Sequence, residues 1–290
     1  MEASLPLTLP SLPERAPDSH KGDYGSVLIA AGSRRFPGAA ALVALGAGRA
    51  GAGLVRLALP REIVPAVLPA APFATVLPCE QTEAGGLSAD AAEAILAEAE
   101  GCTSVVIGPG AGTEDSTGEL LTTLLARLDL PVVLDADGLN LLAAGGVEAL
   151  AGRSAPTVLT PHPGEFARLA GGERPAPEER VPAAVELARR TGAVVVLKGQ
   201  GTVVTDGRRA YVEPAGNPGM ATGGMGDVLA GVIGALLGVL PDPAEAAALG
   251  VHAHAVAGDL AAAEQGEEGL LPEDVAARIG LALAAHRADR

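Results

Sequence analysis

Residues 193–202 read AVVVLKGQGT, a continuous apolar run that ends in a glycine-rich loop. Strands of a parallel sheet are buried on both faces and therefore appear in sequence as uninterrupted apolar segments. Residues 105–107, Val-Val-Ile, have the same character and also run into glycines. Both segments predict strands of a parallel sheet whose carboxyl ends carry loops.

Outward from these two segments, apolar runs alternate with helix-like stretches along most of the chain. This alternation predicts an α/β fold, with a mostly parallel central sheet and helices on both faces. The C-terminal third instead predicts an antiparallel hairpin at 202–205 and 209–213, with Asp206-Gly207 in its turn. The parallel strands are predicted at 26–31, 54–59, 103–107, 131–134, 157–159 and 193–197, and the helices near 38–50, 88–100, 115–128, 138–145, 177–191, 225–239, 243–265 and 272–287.

The predicted organisation is a Pro-rich N-terminal arm at residues 1–19, which looks unstructured, and one domain at residues 20–290. Residues 171–179 are the best candidate for an interior linker, but order does not fall on either side of them. They therefore predict a loop and not a domain boundary. The arm has scattered prolines in place of a basic end and an apolar stretch, so it does not resemble a signal peptide.

The chain of 290 residues has a formal net charge of -15. Nucleic acids and anionic membranes are bound by basic faces, so neither partner is expected. The longest charge-free helical run, residues 228–240, is too short for a bilayer, which takes about 20 residues. Cys79 and Cys102 have neither the spacing of a zinc site nor that of a disulfide framework, and a reducing cytoplasm fits them best.

Residues 216–231 read GNPGMATGGMGDVLAG, a second glycine-rich loop that runs directly into an uncharged helix. Glycines allow a close approach of the backbone to a ligand, and the unpaired amides of a helix start attract anions. We therefore predict that Gly223, Gly224, Met225 and Gly226 form an anion cradle. Because a carboxylate repels phosphate, Asp227 is better explained as a base that deprotonates a hydroxyl about to receive a phosphoryl group. The alternative is that Asp227 only caps the helix.

Two further loops follow predicted strands, where open α/β sheets place their ligands. Residues 108–113, GPGAGT, either let a substrate approach the backbone or form only a tight turn. In residues 160–165, TPHPGE, His162 is a candidate substrate contact and Glu165 a candidate Mg²⁺ ligand through water. The alternative is a rigid turn in which Glu165 interacts with the helix dipole.

Charged residues also follow two strands. Lys198 is a candidate counter-charge for phosphate, and Gly199 and Gly201 permit close backbone contact there. Asp137 is interpreted as a helix cap, whereas Asp135 is a candidate for assisting a metal. Both aspartates also remain open to a purely structural role.

Residues 46–51, GAGRAG, match the pattern G-x-G-x-x-G of dinucleotide-binding proteins. That fingerprint has to follow a strand and open a helix, whereas here it closes a predicted helix and precedes a strand. We interpret these glycines as sites of close helix packing and as the end of that helix.

Five segments, in this order, resemble the bacterial ADP-dependent NAD(P)H-hydrate dehydratase family, which has a three-layer ribokinase-like fold. The match runs from about His20 to the C-terminus. Many family members carry an additional epimerase domain in front, and this chain resembles the dehydratase alone. The five segments are HKGDYG (20–25), GPG (108–110), LTPHPGE (159–165), KGQGT (198–202) and NPGMATGGMGD (217–227).

The resemblance implies a metabolite-repair enzyme that acts on the S epimer of hydrated NADH or NADPH (NADHX or NADPHX). ADP or ATP, with Mg²⁺, would phosphorylate the added hydroxyl, and loss of phosphate would restore the reduced cofactor. It also implies a homo-oligomer, a tetramer in the family, and coupling to a separate NAD(P)H-hydrate epimerase. The implied nucleotide contacts are Lys198, Gly199, Gln200, Gly201, Thr202 and Gly226, and the implied hydrate contacts are Ala39, Gly110, His162 and Asp227.

Two other functions fit the residues without the resemblance. A ribokinase-like kinase of a small alcohol or vitamin precursor would share Gly226-Asp227 but release a stable phosphate ester. A non-catalytic nucleotide sensor would use the glycine loop alone. Asp227 argues against the sensor, because a pure binder gains little from a negative group beside an anion.

Overall fold

The computed structural model describes residues 5–288, and within that range the chain forms one ten-stranded sheet. The strands are β1 (Leu5–Pro6), β2 (Ser26–Ala30), β3 (Leu54–Pro60), β4 (Thr75–Cys79), β5 (Ser104–Ile107), β6 (Val132–Leu134), β7 (Thr157–Leu159), β8 (Val194–Leu197), β9 (Val203–Thr205) and β10 (Arg209–Val212). Their order across the sheet is β1-β10-β9-β8-β7-β6-β5-β2-β3-β4. β9 runs antiparallel to both of its neighbours, and the other pairs are parallel. The mostly parallel sheet and the hairpin are confirmed.

The helices are α1 (Pro37–Arg49), α2 (Val64–Val67), α3 (Ala92–Ala99), α4 (Asp115–Arg127), α5 (Asp137–Gly145), α6 (Pro163–Ala170), α7 (Arg180–Thr191), α8 (Met225–Leu237), α9 (Pro243–Gln265) and α10 (Pro272–Ala288). Short 3₁₀ turns lead into α3 and α7, where the predicted helices began a few residues earlier. Among the helices between residues 5 and 288, none combines the length and the apolarity that crossing a membrane requires.

The sheet separates two apolar cores. Alternate residues of β8 face opposite cores: Val194 and Val196 pack with α1, α8, α9 and α10, whereas Val195 and Leu197 pack with α3 to α7. Successive side chains of a strand point to opposite faces, so a strand covered on both sides has to be apolar throughout. The uninterrupted apolar runs therefore indicate the three-layer architecture, as predicted.

The N-terminal arm is more ordered than its prolines suggest, and the expectation of an unstructured arm is wrong for the described part that begins at Leu5. The amides of Leu5 and Leu7 donate to carbonyls of the segment around β10, both at 2.9 Å. Pro6 lies between these two donors, and its missing amide costs no hydrogen bond there. Leu7 is buried, and His286 Nε2 lies 2.9 Å from the carbonyl oxygen of Pro10. Residues 1–4 and 289–290 lie outside the described range, and the division at residue 20 stays a prediction.

Helices α1 and α8 pack backbone to backbone. A Cβ atom on Gly46 would lie 2.2 Å from the carbonyl oxygen of Val228, and one on Gly231 would lie 2.0 Å from that of Val43. Both distances are far inside van der Waals contact, so these positions accept no side chain. The interpretation of Gly46 as a packing glycine is confirmed. This contact fixes the first half of α8 against the second half of α1.

We expect Gly46→Ala to lower the free energy of unfolding by about 2–3 kcal/mol, because the two helices have to separate. Gly38→Ala is the matched control in the same helix, since its Cβ would meet nothing within 4 Å. That control is expected to be neutral or to stabilise the protein by up to about 1 kcal/mol through helix propensity. Urea unfolding of the three proteins measures both effects. Equal stability of Gly46→Ala and wild type would contradict the close packing.

Candidate active site

Four neighbouring parallel strands, β5 to β8, end at one edge of the sheet. In the register, Ile107 pairs with Leu134, and Leu134 pairs with Leu159. The chain therefore leaves β5, β6 and β7 at the same level, whereas β8 continues for two residues beyond Val195, the partner of Leu159. The loops that follow these strands converge. The first residues after β5, β6, β7 and β8 are Gly108, Asp135, Thr160 and Lys198.

A buried ion pair lies at the centre of this edge. Lys198 Nζ is 2.6 Å from Asp135 Oδ1, and Thr160 Oγ1 donates to the same oxygen at 2.8 Å. The side chain of Asp135 is only 1% exposed. Burial by itself would lower the pKa of Lys198, but Asp135 and Glu165 raise that pKa above its ordinary value, so the ammonium stays charged. Asp135 is thus the partner of Lys198.

Asp227 is the third residue of α8. The helix N-cap is Gly224, whose φ of 95° is left-handed, and no side chain caps this end. The alternative interpretation of Asp227 as a cap is therefore wrong. Burial, followed by the charge of Asp135, raises the pKa of Asp227 to about 7, against the opposing effect of Lys198. A carboxyl group that titrates near neutrality is suited to proton transfer.

The predicted anion cradle, residues 223–226, forms the turn into α8. A Cβ on Gly226 would lie 3.0 Å from Lys198 Nζ, so the ammonium borders the first turn of the helix. The amides of a first turn have no partner within their helix and carry partial positive charge. The structure therefore brings together Gly226 and Lys198, two of the predicted nucleotide contacts.

His162 is held in one tautomer. It is the N-cap of α6, and its Nδ1 accepts hydrogen bonds from the amides of Gly164 at 2.9 Å and Glu165 at 3.3 Å. Nδ1 is thus unprotonated, which leaves the proton on Nε2. Burial, together with Lys198 and Arg168, lowers the pKa of His162 and keeps the ring neutral. Because the side chain is 51% exposed, Nε2–H can donate to a ligand.

Glu165 completes the same capping box, because its Oε2 accepts from the amide of His162 at 2.8 Å. The residue is buried, and burial raises the pKa of its carboxyl group to about 7. Between residues 5 and 288, no group of three or more His, Cys, Asp and Glu side chains is placed to ligate a metal. Mg²⁺ that accompanies a nucleotide keeps several waters and needs only one or two carboxylates. Glu165 remains the candidate for such a water-mediated role, whereas Asp135 is engaged with Lys198 and Thr160.

Ala39 and Gly110 come together although they are far apart in sequence. A Cβ on Gly110 would lie 3.0 Å from that of Ala39 and 2.7 Å from that of Phe36. Gly110 also has a left-handed φ of 62°. Phe36, which was not among the predicted site residues, lies beside this pair and is 46% exposed. Its rarity was the available signal, since the chain has only 3 Phe residues.

The loop after β8 is open to solvent. Gly199 and Gly201 have left-handed φ values of 131° and 62°, and Thr202 Oγ1 closes the loop with a 2.8 Å hydrogen bond to the carbonyl of Gly199. Gln200 is exposed at its tip. Arg180, which was also not predicted, supports the loop by donating to the carbonyls of Leu197 and Lys198 at 2.8 and 3.2 Å.

Comparison with known proteins identifies the family. The family model described as NAD(P)H-hydrate dehydratase matches residues 27–280. The chain belongs to the NAD(P)H-hydrate dehydratase family. The bifunctional NAD(P)H-hydrate repair enzyme Nnr of Thermofilum pendens is 44% identical over 280 residues, which are 96% of this chain and 53% of the relative. The chain thus spans about half the length of the curated relatives it matches.

Two solved structures, one of an NAD(P)H-hydrate dehydratase and one of a more distant protein, have the same architecture. The ADP/ATP-dependent NAD(P)H-hydrate dehydratase from Bacillus subtilis, co-crystallised with ATP and Mg²⁺, matches with a TM-score of 0.81 and 31% identity, covering 95% of this chain and 94% of the other. A ribokinase-like superfamily protein from Enterococcus faecalis matches with a TM-score of 0.81 and 24% identity, covering 95% and 92%. This second match supports the fold alone. The predicted ribokinase-like fold is confirmed.

Proposed function

We propose that this chain dehydrates the S epimer of NAD(P)H hydrate, with ADP or ATP as phosphoryl donor and Mg²⁺ bound with the nucleotide. The observation that carries the proposal is Asp227, whose pKa is raised to about 7 at the start of a helix that follows a glycine loop. Family membership supplies the substrate class. The nucleotide and the ion are supported by the B. subtilis relative, which was crystallised with ATP and Mg²⁺.

Two steps convert the hydrate to the reduced cofactor. In the first, Asp227 takes the proton of the ring hydroxyl while the hydroxyl oxygen bonds to the terminal phosphorus of ADP, and the bond from that phosphorus to the leaving AMP breaks. In the second, the carbon–oxygen bond of the new ester breaks, phosphate leaves with the electron pair, and the adjacent carbon releases a proton to water, which restores the ring double bond. Catalysis here rests on positioning and on stabilising charge.

The site residues divide into two groups under this proposal. The amides of 223–226 and the ammonium of Lys198 stabilise the phosphoryl group. Nε2–H of neutral His162 donates to the hydrate, which Ala39 and Gly110 also contact under this proposal. Mg²⁺ would screen the phosphate charge, with Glu165 holding it through water. The nucleotide loop consists of Lys198, Gly199, Gln200, Gly201 and Thr202, with Gly226 beside it.

One experiment tests the proposal. The protein is incubated with hydrated NADH, Mg²⁺ and either ADP or ATP, while absorbance of reduced nicotinamide and free phosphate are recorded. Equal amounts of NADH and inorganic phosphate are expected. A kinase of a small alcohol would leave the hydrate untouched and form a stable ester with its own acceptor. A nucleotide sensor would bind ADP without releasing any product.

The proposal extends to partners and location. Dehydration consumes one epimer, so we propose coupling to an NAD(P)H-hydrate epimerase, predicted to be a separate protein. The word bifunctional in the names of the relatives supports a link between repair activities. We also propose a homo-oligomer, with a tetramer suggested by the family resemblance, and a cytoplasmic location, which the two free thiols of Cys79 and Cys102 support.

The pH dependence of turnover should report the ionisation of the Asp227 carboxyl group. Because its folded pKa is raised to about 7, kcat/KM is expected to fall as pH decreases through 7 and the base becomes protonated. The charge of Glu165 contributes to that raised pKa, so Glu165→Gln should move the acid limb to lower pH. Glu119→Gln, an exposed carboxylate on α4, is the control and should leave the profile unchanged. An unshifted limb in Glu165→Gln would contradict the coupling.

A further inference from the structure

Arg180 borders the loop predicted to hold the nucleotide. It is the first residue of α7, and its Nη2 donates to the carbonyl oxygens of Leu197 and Lys198. Its Nη1 lies 3.3 Å from the position that a Cβ on Gly199 would take. The guanidinium therefore lies against the backbone of the glycine loop.

Much of the hydrogen-bonding capacity of this guanidinium is unused. Arginine has five N–H donors, but the hydrogen bonds to protein atoms all leave from Nη2, and the buried Nε has no partner. Within the described range, no carboxylate forms an ion pair with it. Burial lowers the pKa of Arg180, with no acidic neighbour to offset the effect. A partly buried cation without a counter-charge is costly to fold unless a ligand supplies that charge.

Two other cations of the chain have carboxylate partners, which Arg180 lacks. Lys198 forms an ion pair with Asp135, and Arg209 of β10 pairs with Asp206 and Asp242, each at 2.8 Å. Arg190, in the same helix as Arg180, also donates to two backbone carbonyls, those of Leu169 and Ala170. Arg190 is exposed to water and lies away from the glycine loop. Arg180 therefore combines an uncompensated charge with a position at the loop.

We propose that Arg180 binds a phosphate group of the nucleotide through the free N–H donors of Nη1, the atom that borders Gly199. The two N–H groups of Nη1 are fixed in the plane of the guanidinium and so have a set direction, whereas the ammonium of Lys is a compact charge on a flexible stem. The bonds to Leu197 and Lys198 hold the guanidinium in place before the ligand arrives. The inference rests on the proposed function, because it assumes that the glycine loop holds a nucleotide.

Equilibrium binding separates this role from a purely structural one. ADP binding is measured by calorimetry, and adenosine binding by ligand-observed NMR, for wild type, Arg180→Gln, Arg180→Lys and Arg190→Gln. Arg180→Gln is expected to weaken ADP binding about tenfold or more, since a charge-assisted contact is lost. Adenosine binding should change less than about twofold, because adenosine has no phosphate group that could contact Arg180. Arg180→Lys keeps the charge and should fall between Gln and wild type, and Arg190→Gln should match wild type.

Each other outcome has a distinct meaning. Equal losses for ADP and adenosine in Arg180→Gln would overturn the proposal and leave Arg180 as a brace of the loop. Wild-type ADP affinity in that variant would overturn it as well. Failure of the wild-type protein to bind ADP would instead count against the proposed function. Thermal unfolding of each variant confirms that binding is compared between folded proteins.

Discussion

Asp227→Asn is expected to lower kcat by about 10²–10⁴-fold, the range that a lost general base produces. Nucleotide binding should be retained or strengthened, because the substitution removes a negative charge beside the phosphates. Turnover is followed at the absorbance of reduced nicotinamide, and ADP affinity is measured by calorimetry. The control is Asp90→Asn, an exposed carboxylate in the 3₁₀ turn before α3, which should behave as wild type.

The same variant should be more stable than wild type at alkaline pH. The folded pKa of Asp227 is raised from 3.8 to about 7, so the ionised carboxylate is disfavoured in the fold. A raised pKa contributes stability that is complete below 3.8 and is lost as pH rises through 7. Asp227→Asn removes that loss, so its Tm should exceed the wild-type Tm at pH 8 and the difference should shrink at pH 5.

These two readouts together identify a catalytic carboxylate. Loss of activity with unchanged or higher stability is typical of a group placed for function at a cost to the fold. Near-normal turnover of Asp227→Asn would refute the assigned base. Loss of both activity and stability at pH 8 would indicate that Asp227 supports the structure instead.

Lys198→Ala is expected to weaken nucleotide binding by about tenfold or more, because one charged contact to phosphate is lost. A second effect follows from the ion pair. Asp135 is 1% exposed and would be left without its cation, which costs about 3–5 kcal/mol of folding free energy. Weak binding in this variant therefore has two possible causes, a lost ligand contact and a destabilised edge of the sheet.

A double variant separates the two causes. Lys198→Met combined with Asp135→Asn removes both charges, and the Asn oxygen still accepts from Thr160. Replacing both partners of a buried ion pair is far less damaging than removing one, so urea unfolding should give near wild-type stability. ADP binding should stay weak. Wild-type affinity in the double variant would exclude the ammonium as a nucleotide contact.

Strong local patterns explain the successful part of the prediction. The runs that form β5 and β8 are apolar throughout because both faces are covered, and the predicted bounds of the parallel strands differ from the structure by at most one residue at either end.

The edge strands were not predicted because they lack that apolar pattern. β4 contains Pro78 and has exposed residues, and β1 has only two residues, one of which is Pro6. Both are edge strands, where a missing amide or an exposed face is tolerated.

The candidate site could be predicted only loop by loop. The glycine loop and Asp227 are neighbours in sequence, so their junction with a helix is visible there. The pairing of Lys198 with Asp135 joins residues 63 positions apart and depends on the adjacency of β6, β7 and β8. Arg180 gave no signal because arginine is common throughout this chain, and its unused donors become evident only beside the carbonyls of Leu197 and Lys198.

The sequence by itself determined the α/β class, the order of most elements and the carboxylate at the start of α8. These are properties of short segments, in which apolar periodicity and glycine placement fix local conformation. Only the tertiary structure decided the protonation of that carboxylate and the charge state of its surroundings. A pKa near 7 arises when Asp227, Asp135 and Glu165 share one buried edge with a single ammonium, and burial and distance exist only in the folded chain.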